Sequence, residues 1–525
     1  MLKKLLALVL LLTGSVQAAE QSKRFFENSG GLVDRISPLL IPDKSATAIQ
    51  NITLDDRGQL TKRNGYTILH STGVLGPVTS PVTGGAYHNA ASGTSFFGVV
   101  VGTSVYRTAN TFSGTYEDVT STVTVTNNAS NLAQTTSIND KLVFCNESDK
   151  PFLLGSTGNA VQISTGLFTG AKTCATYGNY LVLANLTETS VAYPSRVRWS
   201  NINDPNSFPS LNYIDVEPND GDKIVSVISF DDSVYIFKKR SIHRMVITGL
   251  DGADAFIIRP VVRNMGAWAK NSVRVIPNVG IAFLAQNTMY VLSDTGLEPI
   301  GDPIQRTFDG LTRTMWGNAV GVVYPKRYQY WLAVSTTSDS QNHQVLVYDY
   351  IQKAWTIYTG MDVNMLAQAE DSNGNNIILS GDYEAAHYKQ DTGTSDNPGA
   401  VATAITGSYT TPDLTIGAPE ITKGFKYLYI FSQVDVNTTV TVEGAFDYLS
   451  TFEYSQSIDL GQTGAVYDVA VYDTDVFPNL QYKVSRIELN RSARALKLRF
   501  SNSSSGAIVG IIGWAVVYTM EDFNQ

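Results

Sequence analysis

The sequence predicts an all-β chain: a β-propeller of six to eight blades, with an extended N-terminal arm before it and a β-sandwich-like domain after it. Three observations lead there. Only 16% of the 525 residues are charged, while 42 Gly, 27 Tyr and 21 Phe supply turn formers and strand formers. Beyond residue 25, short apolar runs alternate with turns rich in Gly, Asn, Asp and Ser, and long helical periodicity is hard to find. Seven hairpin patterns of this kind recur, starting at Ser95, Lys141, Asn179, Ser233, Gly280, Tyr328 and Asn376. Their spacing of roughly 40 to 55 residues is the period of a blade of about four short strands. A single blade cannot bury both faces; a closed ring of blades covers each sheet with its neighbour and leaves only short protected edges. No WD dipeptide or kelch double glycine recurs at fixed positions, so a set of β-sandwiches is the competing architecture.

From the N-terminus, residues 1–25 hold two lysines, an apolar run from Leu5 to Leu12 and the small-residue pattern Val16-Gln17-Ala18. The form is that of an export signal, or of a retained apolar segment that must be buried against a partner. The run is too short for a permanent membrane span. Residues 26–75 read as an extended arm and a hairpin. Gly30-Gly31 permits unusual backbone angles, Pro38 and Pro42 favour an extended course, and Asp56-Arg57-Gly58 reads as a tight turn before Lys62-Arg63-Asn64-Gly65-Tyr66. Residues 76–395 hold the repeating hairpins. From Asp391 to Gly417 the chain is poor in large hydrophobes and rich in Thr, Gly, Ser and Pro, which marks a boundary, and residues 396–525 alternate apolar and polar as a smaller β domain would.

The order of motifs resembles a known family. A Gly-Gly-Leu arm, a proline-containing stretch with an Asn near its end and a closing G-x-L-x-K-R-x-G-Y resemble the start of bacteriophage tail proteins of the tail nozzle, or tail tubular B, type. Further along, RVRWSNINDPNSFP from Arg196, GDKIVSVISFDDSVYIFKKRSIHRM from Gly221, the blade from Asn264 to Ile304 and VLVYDYIQKAWTIY from Val345 are similar to segments of that family and of packaged-DNA stabilisation proteins of short-tailed phages. The resemblance spreads over most of residues 29–392. It implies a structural virion subunit that forms a ring, a hexamer in the family, around the DNA channel, with adaptor and fibre proteins as neighbours. That ring would help retain the packaged genome and conduct it at ejection. On this reading Gly30, Gly31, Arg35, Arg57, Lys62, Arg63 and Tyr66 serve subunit interaction, and Lys238, Lys239 and Arg240 face the DNA channel or an interface. An exported β-propeller that binds glycans or peptides, placed in the periplasm or secreted, is the alternative that the leader suggests.

Charge and chemistry fit a non-enzymatic role. With 38 Lys+Arg against 47 Asp+Glu, the net charge of -9 argues against a protein that grips phosphates and is compatible with an acidic conduit that DNA crosses without sticking. No HExxH, GxSxG, P-loop or paired CxxC motif occurs, and His70, His88, His243, His343 and His387 lack ligand spacing. They read as surface or hairpin residues. Asp371-Ser372-Asn373-Gly374-Asn375 and Ser293-Asp294-Thr295-Gly296 read as turns, Tyr328, Tyr330 and Trp331 as cross-strand packing, and Cys145 and Cys174 as small buried hydrophobes. No cofactor, metal or catalytic residue is expected.

Overall fold

The computed structural model describes residues 21–521, leaving out 55–57, 71–73, 92–93, 165, 337–338, 400, 434–437, 461–481 and 506–508. Residues 1–20 of the N-terminal segment and Arg57 therefore lie outside the described residues, while the end of that segment lies in a strand, Ser22–Phe26.

Seven four-stranded antiparallel sheets follow one another along the chain. In each, the second and third strands are a hairpin of the kind read from the sequence. Phe96–Val101 pairs with Ser104–Ala109, Lys141–Cys145 with Phe152–Gly155, and Tyr180–Glu188 with Val191–Trp199 in blades 1 to 3. Ser233–Lys238 pairs with Ser241–Ile247, Gly280–Leu284 with Met289–Ser293, Gln329–Val334 with Gln344–Asp349, and Asn376–Gly381 with His387–Gln390 in blades 4 to 7. These runs are apolar on both faces because a blade is covered on both sides. Phe96–Val101, Gly280–Leu284 and Gln329–Val334 are buried at every position. The first strands, from Val82–His88 to Met365–Glu370, stand side by side around an axis, and blade 7 meets blade 1 to close the ring.

Closure uses the arm. The outermost strand of blade 7 is Tyr66–Ile68, paired antiparallel with His387–Gln390. One sheet is thus built from both ends of the propeller sequence, which ties the ring shut.

The C-terminal domain is a sandwich of two antiparallel sheets, and here the arm differs from expectation. It is not a free extension: Ser22–Phe26 and Leu60–Lys62 pair with Gly510–Met520, and Ala48–Gln50 pairs with Gly407–Thr410. The expected hairpin is present as Ile52–Leu54 against Leu60–Lys62. Residues 396–521 alone would leave sandwich strands unpaired, so the arm belongs to this domain as much as to the propeller. One hydrophobic core runs through Phe26, Leu32 and Ile49 of the arm, Leu284, Met289 and Trp355 of blades 5 and 6, and Phe425, Ile487 and Trp514 of the sandwich.

Candidate functional site: the arm clasp and the central channel

The motif residues of the arm converge where arm, blade 6, the post-propeller linker and sandwich meet. Arg63 is buried and all its N–H donors are used. Nη1 and Nη2 donate to the two Asp396 carboxylate oxygens at 2.8 and 2.7 Å, Nη2 also to the Thr359 carbonyl at 2.9 Å, Nε to Asn51 Oδ1 at 3.0 Å, and Nη1 to the Asn64 carbonyl at 2.9 Å. A two-pronged guanidinium–carboxylate pair of this kind is stable in a dry site only because the remaining polar atoms are also satisfied. Asn51 sits in the left-handed region at φ 53°, which asparagine tolerates better than most residues. From there its amide donates to the Thr406 carbonyl at 2.9 Å while its Oδ1 accepts from the Thr359 N–H at 2.8 Å.

Each neighbour has its own task. Lys62 reaches the other way, donating to Asn502 Oδ1 at 2.9 Å and the Ser504 carbonyl at 2.8 Å; burial, then repulsion from Arg63, lowers its pKa to about 8. Asn64 donates to Asp391 at 3.0 Å. Gly65 passes so close to Ser395 that a Cβ would fall 1.9 Å from its carbonyl oxygen. Tyr66 donates to the Gly360 carbonyl at 3.3 Å and packs edge-on against Tyr388, and burial raises its pKa to about 12. Gly31, at φ 62°, lies against the Trp355 backbone, where an added Cβ would come within 2.8 Å; Gly30 is similarly close to Ser45.

These positions correct the expectation for Lys62, Arg63 and Tyr66. Their polar groups are spent inside the chain, so they form an internal clasp and do not present a surface to a neighbouring subunit. Gly30 and Gly31 likewise serve close packing within the chain. Arg35 is different: it is exposed and pairs with Asp302 at 2.6 Å, beside the exposed Ile36, Leu39 and Leu40. The residues that complete the clasp, Asn51, Thr359 and Asp396, lie far from the K-R-N-G-Y run in sequence. Only the Asn near the end of the arm carried a signal, as part of the motif layout.

Lys238, Lys239 and Arg240, read as facing a DNA channel or an interface, lie at the central hairpin of blade 4. Lys238 ends the second strand of blade 4, fully buried, with Nζ donating to the Val216 and Glu217 carbonyls at 3.1 and 3.2 Å and to Asp220 at 2.5 Å. An ammonium held by three acceptors is not free for a phosphate. Lys239 lies over the Trp268 ring at 4.4 Å, and Arg240 is exposed at the hairpin turn.

The propeller's own channel is a cavity of about 600 Å³ lined by the first strands of all seven blades. One end is stoppered by the turn Lys270–Ser272. Lys270 Nζ crosses the axis to donate to the Leu132 and Lys172 carbonyls at 2.5 and 3.0 Å, and Asn271 Nδ2 donates to the Ala133 carbonyl at 3.2 Å. Burial lowers the Lys270 pKa to about 8. Among the described residues its lining contains no Asp or Glu, and Arg274 is its one charged residue.

The remaining candidates resolve as packing, with one correction. Cys145 and Cys174 are buried, and burial together with the adjacent Cys174 raises the Cys145 thiol well above its ordinary pKa. Tyr330 and Trp331 are buried, and Tyr328 sits at a left-handed turn against Tyr350. The histidines are not all superficial: His88, His243 and His387 are buried. His387 stacks on Phe97, and its Nδ1 shares a hydrogen bond with the Tyr116 hydroxyl at 2.5 Å. Among the described residues, no group of three or more His, Cys, Asp or Glu is gathered as a metal site would be.

No family model matches the chain, and no curated protein matches it. Among solved structures it is similar to the extracellular domain of a hybrid two-component system from B. thetaiotaomicron, with 10% identity and a TM-score of 0.42 over 75% of this chain and 47% of that one. The chain thus spans about half the length of that match. It is also similar to the computationally designed Ika8 protein (11% identity, TM-score 0.38, 62% of this chain and 100% of that one). A third likeness is to the C-terminal WD40 domain of Sif2 (9% identity, TM-score 0.35, 61% and 99%). The class stated by the chain's own strand pairing is a seven-bladed β-propeller bound to a β-sandwich through a shared N-terminal arm.

Proposed function

We propose that the chain is a non-enzymatic structural subunit of a phage tail, of the nozzle type, working as a ring of identical copies around the DNA path. The observation that supports this reading most is the arm. The residues that carry the resemblance, from Gly30-Gly31 to Lys62-Arg63-Asn64-Gly65-Tyr66, are the ones this fold uses to lock propeller and sandwich together. A ring that bears internal pressure needs subunits that do not come apart at their domain junction.

On this reading DNA passes between copies and not through a propeller. A duplex whose grooves are about 8.5 and 7.5 Å deep is far too wide to thread a stoppered cavity of about 600 Å³. Contact between copies falls to surfaces such as the exposed apolar loop around Ile36, Leu39 and Leu40, the last of these 73% exposed.

Native mass spectrometry and electron microscopy of the purified full chain and of virions test the proposal. A ring of copies, with Met1 intact in particles, is the expected result, and Leu39→Asp with Leu40→Asp should disperse the ring while the circular dichroism spectrum stays unchanged. A monomer found in the periplasm with Ala19 at its N-terminus would refute the tail reading and favour an exported binding module.

A further inference from the structure

The channel has features that neither closure of the ring nor the clasp requires. It is closed at one end by Lys270–Ser272, and its volume falls within the range of small-ligand sites. Arg274 is partly buried in its wall, and among the described residues the one hydrogen bond its guanidinium makes is to the carbonyl of its neighbour Val273, at 3.1 Å. Most other arginines withdrawn from solvent here have a carboxylate partner: Arg63 has Asp396, Arg107 has Glu117, and Arg196 and Arg198 share Glu188. Burial pushes the Arg274 pKa below the ordinary arginine value, with only the Tyr330 hydroxyl acting in the other direction. An arginine nevertheless stays charged at neutral pH.

A second, independent observation lies on the channel floor. Asn271 is 4% exposed; its amide nitrogen is bonded to Ala133, but its Oδ1 is buried without a donor. A buried acceptor left unmatched is unfavourable unless a guest or a water supplies the proton. The wall facing them from blades 2 to 4 includes Thr135, Thr136, Thr176 and Ser229, side chains that can both donate and accept.

We propose that the propeller channel is a binding site for a small polyhydroxylated carboxylate, a sugar acid, whose carboxylate pairs with Arg274 and whose hydroxyls meet Asn271 Oδ1 and the Ser/Thr wall. The planar guanidinium suits the two oxygens of a carboxylate. Hydroxyl groups, and not an ammonium, suit the rest, because no carboxylate lines the channel to receive a cation. The inference is independent of ring assembly: it concerns the inside of one chain.

Isothermal titration calorimetry on the full chain tests it, with sodium D-glucuronate, D-glucose and inorganic phosphate as titrants. Glucuronate should bind measurably more tightly than either of the others. Arg274→Gln should weaken it by at least about tenfold, as loss of a charge-assisted pair does, while Arg259→Gln on the outer strand of blade 4 leaves it unchanged. Absence of heat with glucuronate at millimolar concentration, equal binding of glucose, or unaltered binding by a folded Arg274→Gln would each overturn the proposal. Phosphate binding as tight as glucuronate would reduce the site to a bare anion hole and overturn the hydroxyl half. If Arg274→Gln does not fold, the comparison of glucuronate with glucose on the unaltered chain still decides.

Discussion

Arg63 shows how a single side chain can hold four segments. Truncation to Ala would leave the Asp396 carboxylate buried without its cation, and removal of one partner of a buried pair costs about 3–5 kcal/mol. Urea titration of Arg63→Ala should show a loss of that size, and Arg63→Ala with Asp396→Ala should cost less than the sum of the two single changes because the orphaned charge is gone. His387 makes a pH-dependent contribution. Burial is the main cause lowering its pKa from 6.5 to about 3, with His70 adding to it. The folded chain therefore refuses a proton that the unfolded chain accepts below pH 6.5, so this contribution is fully present above that pH and fades as pH falls toward 3. Between pH 6.5 and 5 the loss approaches about 2 kcal/mol at roughly 1.4 kcal/mol per unit. Thermal melts at those two pH values should separate more for the native chain than for His387→Gln.

At the scale of elements, what the sequence revealed depends on where each strand sits. The middle strands of every blade are covered on both faces and are written as apolar runs, so all seven hairpins could be read. The first strands line the channel, and in two of them the composition hides the strand: Gln134–Ile138 reads QTTSI and Val82–His88 reads VTGGAYH. Two of the fourth strands are very short, Glu117–Asp118 and Val161–Gln162 having two residues each, too few for any period. The arm was legible as an extended segment and a hairpin, but its destination was not, because its partners lie hundreds of residues downstream. Lys62 and Arg63 read as surface basic residues for the same reason: nothing local announces Asn502 or Asp396. The closing strand Tyr66–Ile68 offers a test at this scale. Thr67 pairs with Lys389 on one side and bridges Asn397 on the other. Thr67→Pro removes an N–H from a strand held on both edges. Limited proteolysis should then cut within blade 7 at protease levels that leave the unaltered chain intact.

Across the whole molecule, propeller and sandwich share one core and one clasp, so they are expected to unfold together. Scanning calorimetry of the full chain should show a single transition whose calorimetric and van't Hoff enthalpies agree; two resolved peaks would mean that the domains are separable. A fragment of residues 76–395 lacks the closing strand and the arm residues that cover blades 5 and 6, and should be recovered as aggregate. The same feature sets a timetable for synthesis. The arm leaves the ribosome first, yet the partner of Lys62 is 440 residues away. At about 5–20 residues per second, the wait lasts roughly 20 to 90 s, during which the core around Phe26, Leu32, Ile49 and Leu54 stays incomplete. The opening sixty residues are therefore a nascent-chain liability that a chaperone must shelter, and the protein becomes safe from misassembly only when its last strand is released.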